Sequence, residues 1–371
     1  MELREIFKEV PDFRVEKRTD HYLNEILVIS LCAVLSGAED YEEIAEYGRQ
    51  KEEFLRQFLE LPNGIPSHDT FNRVFRLMDV SAFQSCLVRW SSQIISTLTE
   101  DYQVNIDGKV LRATGKKGKK TSALCLVSAW VSTHCLSLGQ AKVSKKSNEK
   151  TAIPDLIESI DIEGALVSID AMGCHSKIGT LIKEHKGDYL LALKENQKGI
   201  YEEVSDWMQK HKQHLDVDIQ TDYVGGRIEK RTTYVCHDLT YMDELQNWED
   251  CTTVVLVECE RLFKNDPTKN SFKARYYLSS RVRDAAYFGT CTRNHWSIEN
   301  QLHWYLDVVF DEDRQRVRKD NGPENMAILR KMALQLLLQH KGRDSLKKVR
   351  KRAAWNEEFL ITVLKSVLDD I

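Results

Sequence analysis

At Tyr102 the hydrophobic period of the chain changes, and that switch limits the architecture more than any other feature. Before it, apolar residues recur at helical spacing: Leu3, Ile6, Phe7 and Val10 make one helix face, and Leu23 to Ala38 reads as a buried helix. Asp40 with Glu43 makes a capping-box-like start for the next helix, and Ser67 is an N-cap for a helix whose face is Phe71, Val74, Phe75 and Met78. After it come short β-branched runs at Gln103 to Ile106, Ala123 to Trp130 and Leu136 to Val143, followed by strands at Ala165 to Ile169 and Tyr189 to Leu193 that alternate with helices. Strands that first pair locally and then alternate with helices require a mixed sheet covered by helices. Further strands at Val217 to Tyr223, Glu229 to Val235, Thr253 to Val257 and Arg275 to Leu278 read as an insertion with its own small sheet. A long helical pattern then runs from Ala285 to about Phe310, ahead of helices at Glu324 to His340 and Glu357 to Asp369. Four segments result: a helical domain over 1–100, an α/β core over 101–200, a β-rich insertion over 201–282, and a last core helix with C-terminal helices over 283–371.

Composition narrows the class. A chain of 371 residues with formal net charge −4 carries no global nucleic-acid signal, so any DNA contact has to be local. Nine cysteines without a C-x-x-C pair fit reduced structural thiols. The apolar run at Leu23 is interrupted by Asn24, Glu25, Ser30 and Ser36 and is too short for a bilayer, so a cytoplasmic protein without membrane association is expected.

Three carboxylates are the candidates for chemistry. Asp107 in Val-Asn-Ile-Asp-Gly-Lys and Asp170 in Val-Ser-Ile-Asp-Ala-Met-Gly each follow an apolar strand, at the edge where open α/β sheets place their ligands. Either alone is as readily a turn former; two on neighbouring strand ends favour function. Glu299 lies in the helical segment with Trp296, Ile298, Leu302 and Trp304, a setting that suggests it faces a packed layer, where a carboxylate needs a cation or a metal. His295 and His303 share its helix face, but eight residues separate them, about 12 Å of helix, which excludes a shared zinc. Oxygen donors from Asp107, Asp170 and Glu299 suit Mg²⁺ or Mn²⁺, and two such ions can activate a nucleophile and stabilise a leaving oxygen at a phosphodiester.

Basic residues cluster beside these acids. Lys109, Arg112, Lys116, Lys117, Lys119, Lys120, Lys142, Lys145, Lys146 and Lys150 follow the first aspartate closely, and Arg314, Arg316, Arg318 and Lys319 follow the Glu299 segment. A charge run is usually a solvated loop, but here it borders a proposed phosphodiester site and is read as DNA contact. A third patch, from Lys341 to Arg352, lies near the C-terminus. The helices flanking Pro62 to Pro66 resemble a helix-turn-helix with an overlong turn, and a plain packing module is an equal alternative.

Segments along the whole chain carry a family resemblance: Val10-Pro11-Asp12-Phe13-Arg14, Leu61 to Phe71, Ile106-Asp107-Gly108-Lys109, Ile169 to Cys174, Leu191 to Gln197, Gly226-Arg227-Ile228-Glu229 and His295-Trp296-Ser297-Ile298-Glu299-Asn300. In these the chain resembles the DDE transposases of bacterial insertion sequences, and among them the H-repeat-associated transposases linked to Rhs elements. The resemblance implies an RNase H-like mixed sheet with a β-rich insertion before the last catalytic helix, and an N-terminal all-helical domain. It implies Asp107, Asp170 and Glu299 as catalytic, metal-binding residues with two Mg²⁺ or Mn²⁺ ions. Related cut-and-paste enzymes carry a tyrosine, an arginine and a lysine around the third acid, where this chain has Thr292, His295 and Leu306. Phosphate contacts then fall to His295, His303, Arg293 or Lys194, with Arg227 and Trp296 joining them as expected DNA contacts.

The expected activity is cleavage at element ends and transfer of the 3′-hydroxyl to target DNA. The expected partners are double-stranded DNA, as terminal inverted repeats and target, and a second subunit in the DNA complex. The alternatives are a nuclease of the same fold without strand transfer, and a DNA-binding derivative that has lost catalysis.

Overall fold

The computed structural model describes residues 3–15, 19–95, 101–115, 123–144, 149–246, 248 and 250–365. In chain order the helices α1 (Leu3–Lys8), α2 (Leu23–Ser36), α3 (Tyr41–Gln50), α4 (Glu52–Leu55), α5 (His68–Leu77) and α6 (Val80–Ile95) come first. Strands β1 (Gln103–Leu111), β2 (Leu124–Val131) and β3 (Leu136–Lys142) follow, then α7 (Glu149–Ser159), β4 (Leu166–Ile169), α8 (Ser176–Glu184), β5 (Asp188–Leu193) and α9 (Lys198–His211). Next are β6 (Asp216–Val224), β7 (Arg227–Cys236), β8 (Thr253–Phe263) and β9 (Ser271–Ser279). The chain closes with α10 (Ala285–His295), a π-helical segment (Ile298–His303), α11 (Trp304–Val308), α12 (Gly322–Gln339), α13 (Leu346–Trp355) and α14 (Glu357–Lys365). Among the described residues no helix is long and apolar enough to cross a membrane.

Two compact units emerge. The first comprises Met1–Thr99, Gly108–Lys146 and Glu299–Ile371; the second comprises Glu100–Asp107 and Ser147–Ile298.

In the first unit α2 and α12 form the centre. Every residue of α2 from Leu23 to Leu35 except Asn24 is buried, and α12 is buried from Gly322 to Leu337, so neither shows the one-sided pattern of a surface helix. N- and C-terminal helices thus share one core, with α12 packed on α2, α5 and α6 and α13 packed on α2. The anticipated caps are present: Asp40 accepts from the Glu42 and Glu43 amides at 3.0 Å, Glu43 accepts in return from the Glu39 amide at 2.7 Å, and Ser67 accepts from the Thr70 amide. Arg350, read from sequence as part of a basic patch, is buried and donates to the Val34 carbonyl at the end of α2.

The second unit is built on a mixed sheet in which the strands run in the order β1-β4-β5-β9-β8-β7-β6. β1, β4 and β5 are parallel, and the remaining pairs are antiparallel. The mixed, helix-covered sheet of the RNase H-like reading is therefore present. The separate small sheet is not: β9 pairs with β5, from Leu190 with Ser279 to Leu193 with Tyr276, so the insertion extends the core sheet. Covering the edge of β5 satisfies backbone groups that would otherwise be an open edge. α10 lies on one face of this sheet, where Ala285, Phe288 and Cys291 bury against Leu166, Leu190, Val235, Val255, Val257 and Tyr277. The expected continuous helix from Ala285 to Phe310 is broken at Trp296, which caps α10, and resumes as the π-helical turn.

Candidate active site

The parallel pairing of β1 with β4 sets Gln103 beside Leu166, Val104 beside Val167, Asn105 beside Ser168 and Ile106 beside Ile169. Asp107 and Asp170 are the next residues along the two chains, so each directly follows the last paired row, at the carboxyl end of β4. Both are half-buried. Asp107 lies within β1, which continues to Leu111, whereas Asp170 leaves the sheet at the end of β4. The Asp170 carboxylate accepts from the Met172 amide at 3.0 Å and so caps the short turn Ala171–Gly173. Gly173 keeps that turn flush with the strand: a Cβ there would lie 2.4 Å from Ile169 Cγ2 and 2.9 Å from Ile153 Cδ1. From the end of β5, Asn196 donates to the Ala171 carbonyl at 2.8 Å and Gln197 to the Cys174 carbonyl at 2.9 Å, bracing the turn from the neighbouring loop. Lys194, in the same loop, is exposed.

Two residues before each aspartate, on the same side of each strand, a buried polar side chain joins a network. Gln103 Nε2 lies 2.8 Å from Asn105 Oδ1, 3.0 Å from Ser168 Oγ and 2.9 Å from the Cys291 carbonyl of α10. Ser168 donates its single hydroxyl proton to Asn105 Oδ1 at 2.7 Å, so His295 Nδ1, 2.9 Å from Ser168 Oγ, is the donor of that pair and the imidazole carries its proton on Nδ1. Burial lowers the His295 pKa to about 4, which keeps the ring neutral. Asn105 Nδ2 donates to Ser297 Oγ at 3.3 Å. The network ties α10 and the residues just past it to β1, which carries Asp107, and to β4, which leads into Asp170. His295 is consequently turned into the protein, and its role here is to hold α10 on the sheet. The repeated Val-Asn-Ile-Asp and Val-Ser-Ile-Asp spelling held the signal for Asn105 and Ser168, since a polar residue on the buried face of a strand needs a partner.

In the first unit Glu299 is exposed. Ile298, Leu302 and Leu306 take the buried side of the segment, and in the π-helical turn Glu299 falls on the solvent side, contrary to the expectation of a packed layer. Lys109 is not a free cation. Its Nζ lies 2.6 Å from Asp307 Oδ1 and 2.6 Å from Glu312 Oε2, and Glu312 is 1% exposed. Burial works to lower the Lys109 pKa, but the Glu312 charge and the hydrogen bonds that the ammonium donates to Asp307 and Glu312 hold it above its ordinary value. Burial likewise opposes ionisation of Glu312, yet the charges of Lys109, Lys331 and Arg330 keep its carboxyl below the usual range. Lys331 is pushed down to about 8 by burial. His303 is held near 3, by burial first and then by Lys109 and Lys331, and is neutral.

Of the other expected DNA contacts, Arg112, Arg314 and Arg316 are exposed, and Arg318 Nε donates to the Ala113 carbonyl at 2.8 Å. Lys116 and Lys117, with Lys119, Lys120, Lys145 and Lys146, lie outside the described residues. Arg293 pairs with Asp222 at 2.7 Å and Arg227 with Glu229 at 2.9 Å. Trp296 is partly exposed, with the Arg275 guanidinium 5.1 Å over its ring.

Among the described residues no three His, Cys, Asp or Glu side chains form a group able to hold a metal ion. The second unit supplies two such donors, Asp107 and Asp170, each directly after the last paired row. Two carboxylates in a half-buried, hydrogen-bonded setting fit a hard divalent cation, and no soft ligand stands beside them in the strand register.

Comparison with known proteins places this geometry in a family. Residues 99–336 match the family profile described as "Transposase DDE domain", and residues 4–91 match the profile described as "DDE_Tnp_1-associated". The chain is 35% identical over 370 residues to "Putative transposase YncI" of Escherichia coli O157:H7, covering 96% of this chain and 93% of that protein. It is 34% identical over 376 residues to "H repeat-associated putative transposase YhhI" of Escherichia coli strain K12, covering 98% of each. A shorter relative, "Inactive transposase YbfQ" of the same strain, is 42% identical over 77 residues, covering 20% of this chain and 92% of that protein.

Proposed function

The chain belongs to the DDE transposase family, and from that premise we propose that it cleaves DNA at the ends of its insertion sequence and joins the freed 3′-hydroxyl to target DNA. The observation that supports this reading is the register of β1 with β4, in which Asp107 and Asp170 each follow the last paired row, Ile106 with Ile169. These two carboxylates would hold divalent metal, Mg²⁺ or Mn²⁺, with Glu299 as the third ligand. When bound, two such ions activate the attacking water or 3′-hydroxyl and stabilise the leaving oxygen.

The protein's own part is to hold the donors still. Asp170 is fixed by its cap on Met172 and by the Asn196 brace, and the Asn105–Ser168–His295 network anchors α10 to β1 and β4. Preorganised ligands carry less reorganisation cost into the transition state. Because His295 is neutral and inward-facing, the phosphate contacts that an arginine would make at that position pass to neighbouring cations. Synapsis of two element ends requires at least a dimer in the DNA complex.

The test is Mn²⁺-dependent nicking of duplex DNA carrying the element's ends. Wild type is expected to nick, and Asp170→Ala to lose nicking by several orders of magnitude; equal cleavage by both would sink the assignment. Pre-nicked ends supplied with target DNA separate transposition from plain hydrolysis, since a nuclease yields no joined product. End binding without cleavage in either metal would support a derivative that has lost catalysis.

A further inference from the structure

On the sheet face that carries α10, the far ends of β6 to β9 bear a lattice of arginines. Asp222 of β6 stands opposite Glu229 of β7, and Glu229 stands opposite Arg261 of β8. Residues two positions away share the face, which brings Arg231, Lys273 and Arg275 into the next rows. α10 lies over this face, because a Cβ on Gly289 would meet Thr233 Oγ1 at 3.0 Å and Asp218 Oδ2 at 3.4 Å. Its C-terminal Arg293 reaches Asp222.

Two carboxylates organise four guanidiniums. Glu229 Oε1 is 2.9 Å from Arg227 Nε and 3.0 Å from Arg261 Nε, while its other oxygen pairs with Arg231. Arg231 also meets Asp222 at 2.6 Å, and Asp222 meets Arg293 at 2.7 Å, so a continuous chain of pairs runs across β6, β7, β8 and α10. The Glu229 side chain is 6% exposed, whereas Arg261 and Arg293 are 42% and 49% exposed. Glu229 lies beneath the guanidinium edges of Arg261 and Arg227, while Asp222 and Arg231 are both partly exposed. Six cations (Arg227, Arg231, Arg261, Lys273, Arg275 and Arg293) share the face with four acids (Asp216, Asp218, Asp222 and Glu229), which leaves it positive in a chain whose net charge is −4. Each guanidinium offers five N–H donors and spends only one or two on its carboxylate. Fixed planar forks with unused outward donors match phosphate oxygens, and their ordering is complete before any ligand arrives.

We infer that this arginine lattice is a binding surface for the phosphate backbone of duplex DNA, extending the substrate path of the second unit onto the β6–β9 end of its sheet. The inference rests on the reading of the chain as a DNA-acting enzyme and adds a surface to it. Phosphate contacts are independent of sequence, so a labelled duplex of arbitrary sequence is a sufficient probe.

Fluorescence anisotropy with the full-length protein, in Ca²⁺ and across a salt series, reads the number of phosphates engaged. Each lost contact makes the slope of log Kobs against log salt shallower by about 0.9. The double variant Arg261→Gln, Arg293→Gln is expected to lose about 1.8 from the slope, roughly a twelvefold smaller fall in affinity between about 50 and 200 mM salt. The charge-keeping pair Arg261→Lys, Arg293→Lys should retain most of the wild-type slope. If the glutamine pair fails to fold by circular dichroism, the exposed Lys273→Gln decides alone, with an expected loss of about 0.9. Unchanged slopes, or no duplex binding by wild type, would overturn the surface. Nicking in Mn²⁺ is read separately: nicking with unchanged slopes removes only this surface, whereas predicted slopes without nicking retain it and remove the enzymatic reading.

Discussion

Replacing Lys109 by methionine tests whether this lysine serves the fold or the DNA. The substitution keeps the length of the side chain and removes the charge that lies 2.6 Å from both Asp307 and Glu312. Removing one partner of a buried pair costs about 3–5 kcal/mol, because the remaining charge is left unpaired in a poor solvent. Glu312 keeps the influence of Lys331 and Arg330, and Asp307 is about a third exposed, so the low end applies, about 3 kcal/mol. In a unit of this size that lowers the thermal midpoint by on the order of 10 °C. The pH dependence gives a second reading. In the wild type Glu312 has a folded pKa below its ordinary 4.5, so its stabilisation is present at neutral pH and is lost as pH falls through the folded value. Without Lys109, burial dominates and the folded pKa rises, so protonation relieves the cost. The difference between variant and wild type should therefore shrink as pH drops from neutral toward 5. Circular dichroism melts at both pH values measure it. A midpoint within 2 °C of wild type, with weakened DNA binding instead, would refute this account and restore Lys109 as a phosphate contact.

Two further substitutions address the candidate site. His295 has a folded pKa near 4, below its ordinary 6.5, so the stability it contributes is complete above about 6.5 and is lost as pH falls toward 4; His295→Gln should flatten that part of the stability-against-pH curve, and an unchanged curve would place the titration elsewhere. Gly173→Ala forces a Cβ against Ile169 and Ile153 and should cost about 1–3 kcal/mol while weakening Mn²⁺ binding through the displaced Asp170 turn; calorimetric titration showing wild-type Mn²⁺ affinity would separate the turn from the metal site.

Much of this site was legible in the sequence where its signals are local. Asp107 and Asp170 follow short apolar runs and precede glycine within three residues, a local signal that finds the end of β4 at Ile169 but misses the continuation of β1 to Leu111. What escaped depends on pairing across long stretches of chain. The union of β5 with β9 joins residues about ninety positions apart, so the insertion looked like a separate sheet. The arginine lattice draws on Arg227, Arg231, Arg261 and Arg293, which never form a run, whereas the visible runs included Lys109 and Arg350, both engaged internally. The apolar neighbours of Glu299 suggest a packed environment, but Trp296 and Trp304 are themselves exposed and only Ile298, Leu302 and Leu306 turn inward, so composition does not tell on which side the carboxylate falls.

The central claim is that Asp107, Asp170 and Glu299 serve one metal site. Iron-directed backbone cleavage tests it most directly: Fe²⁺ is exchanged for Mg²⁺ in the full-length protein bound to end DNA, and ascorbate with peroxide cuts the chain beside the bound ion. The account predicts fragments ending near residues 107, 170 and 299 together, all suppressed by excess Mg²⁺ and by Asp170→Asn. Cleavage that spares the chain near Asp107 and Asp170, or that persists in Asp170→Asn, would contradict it.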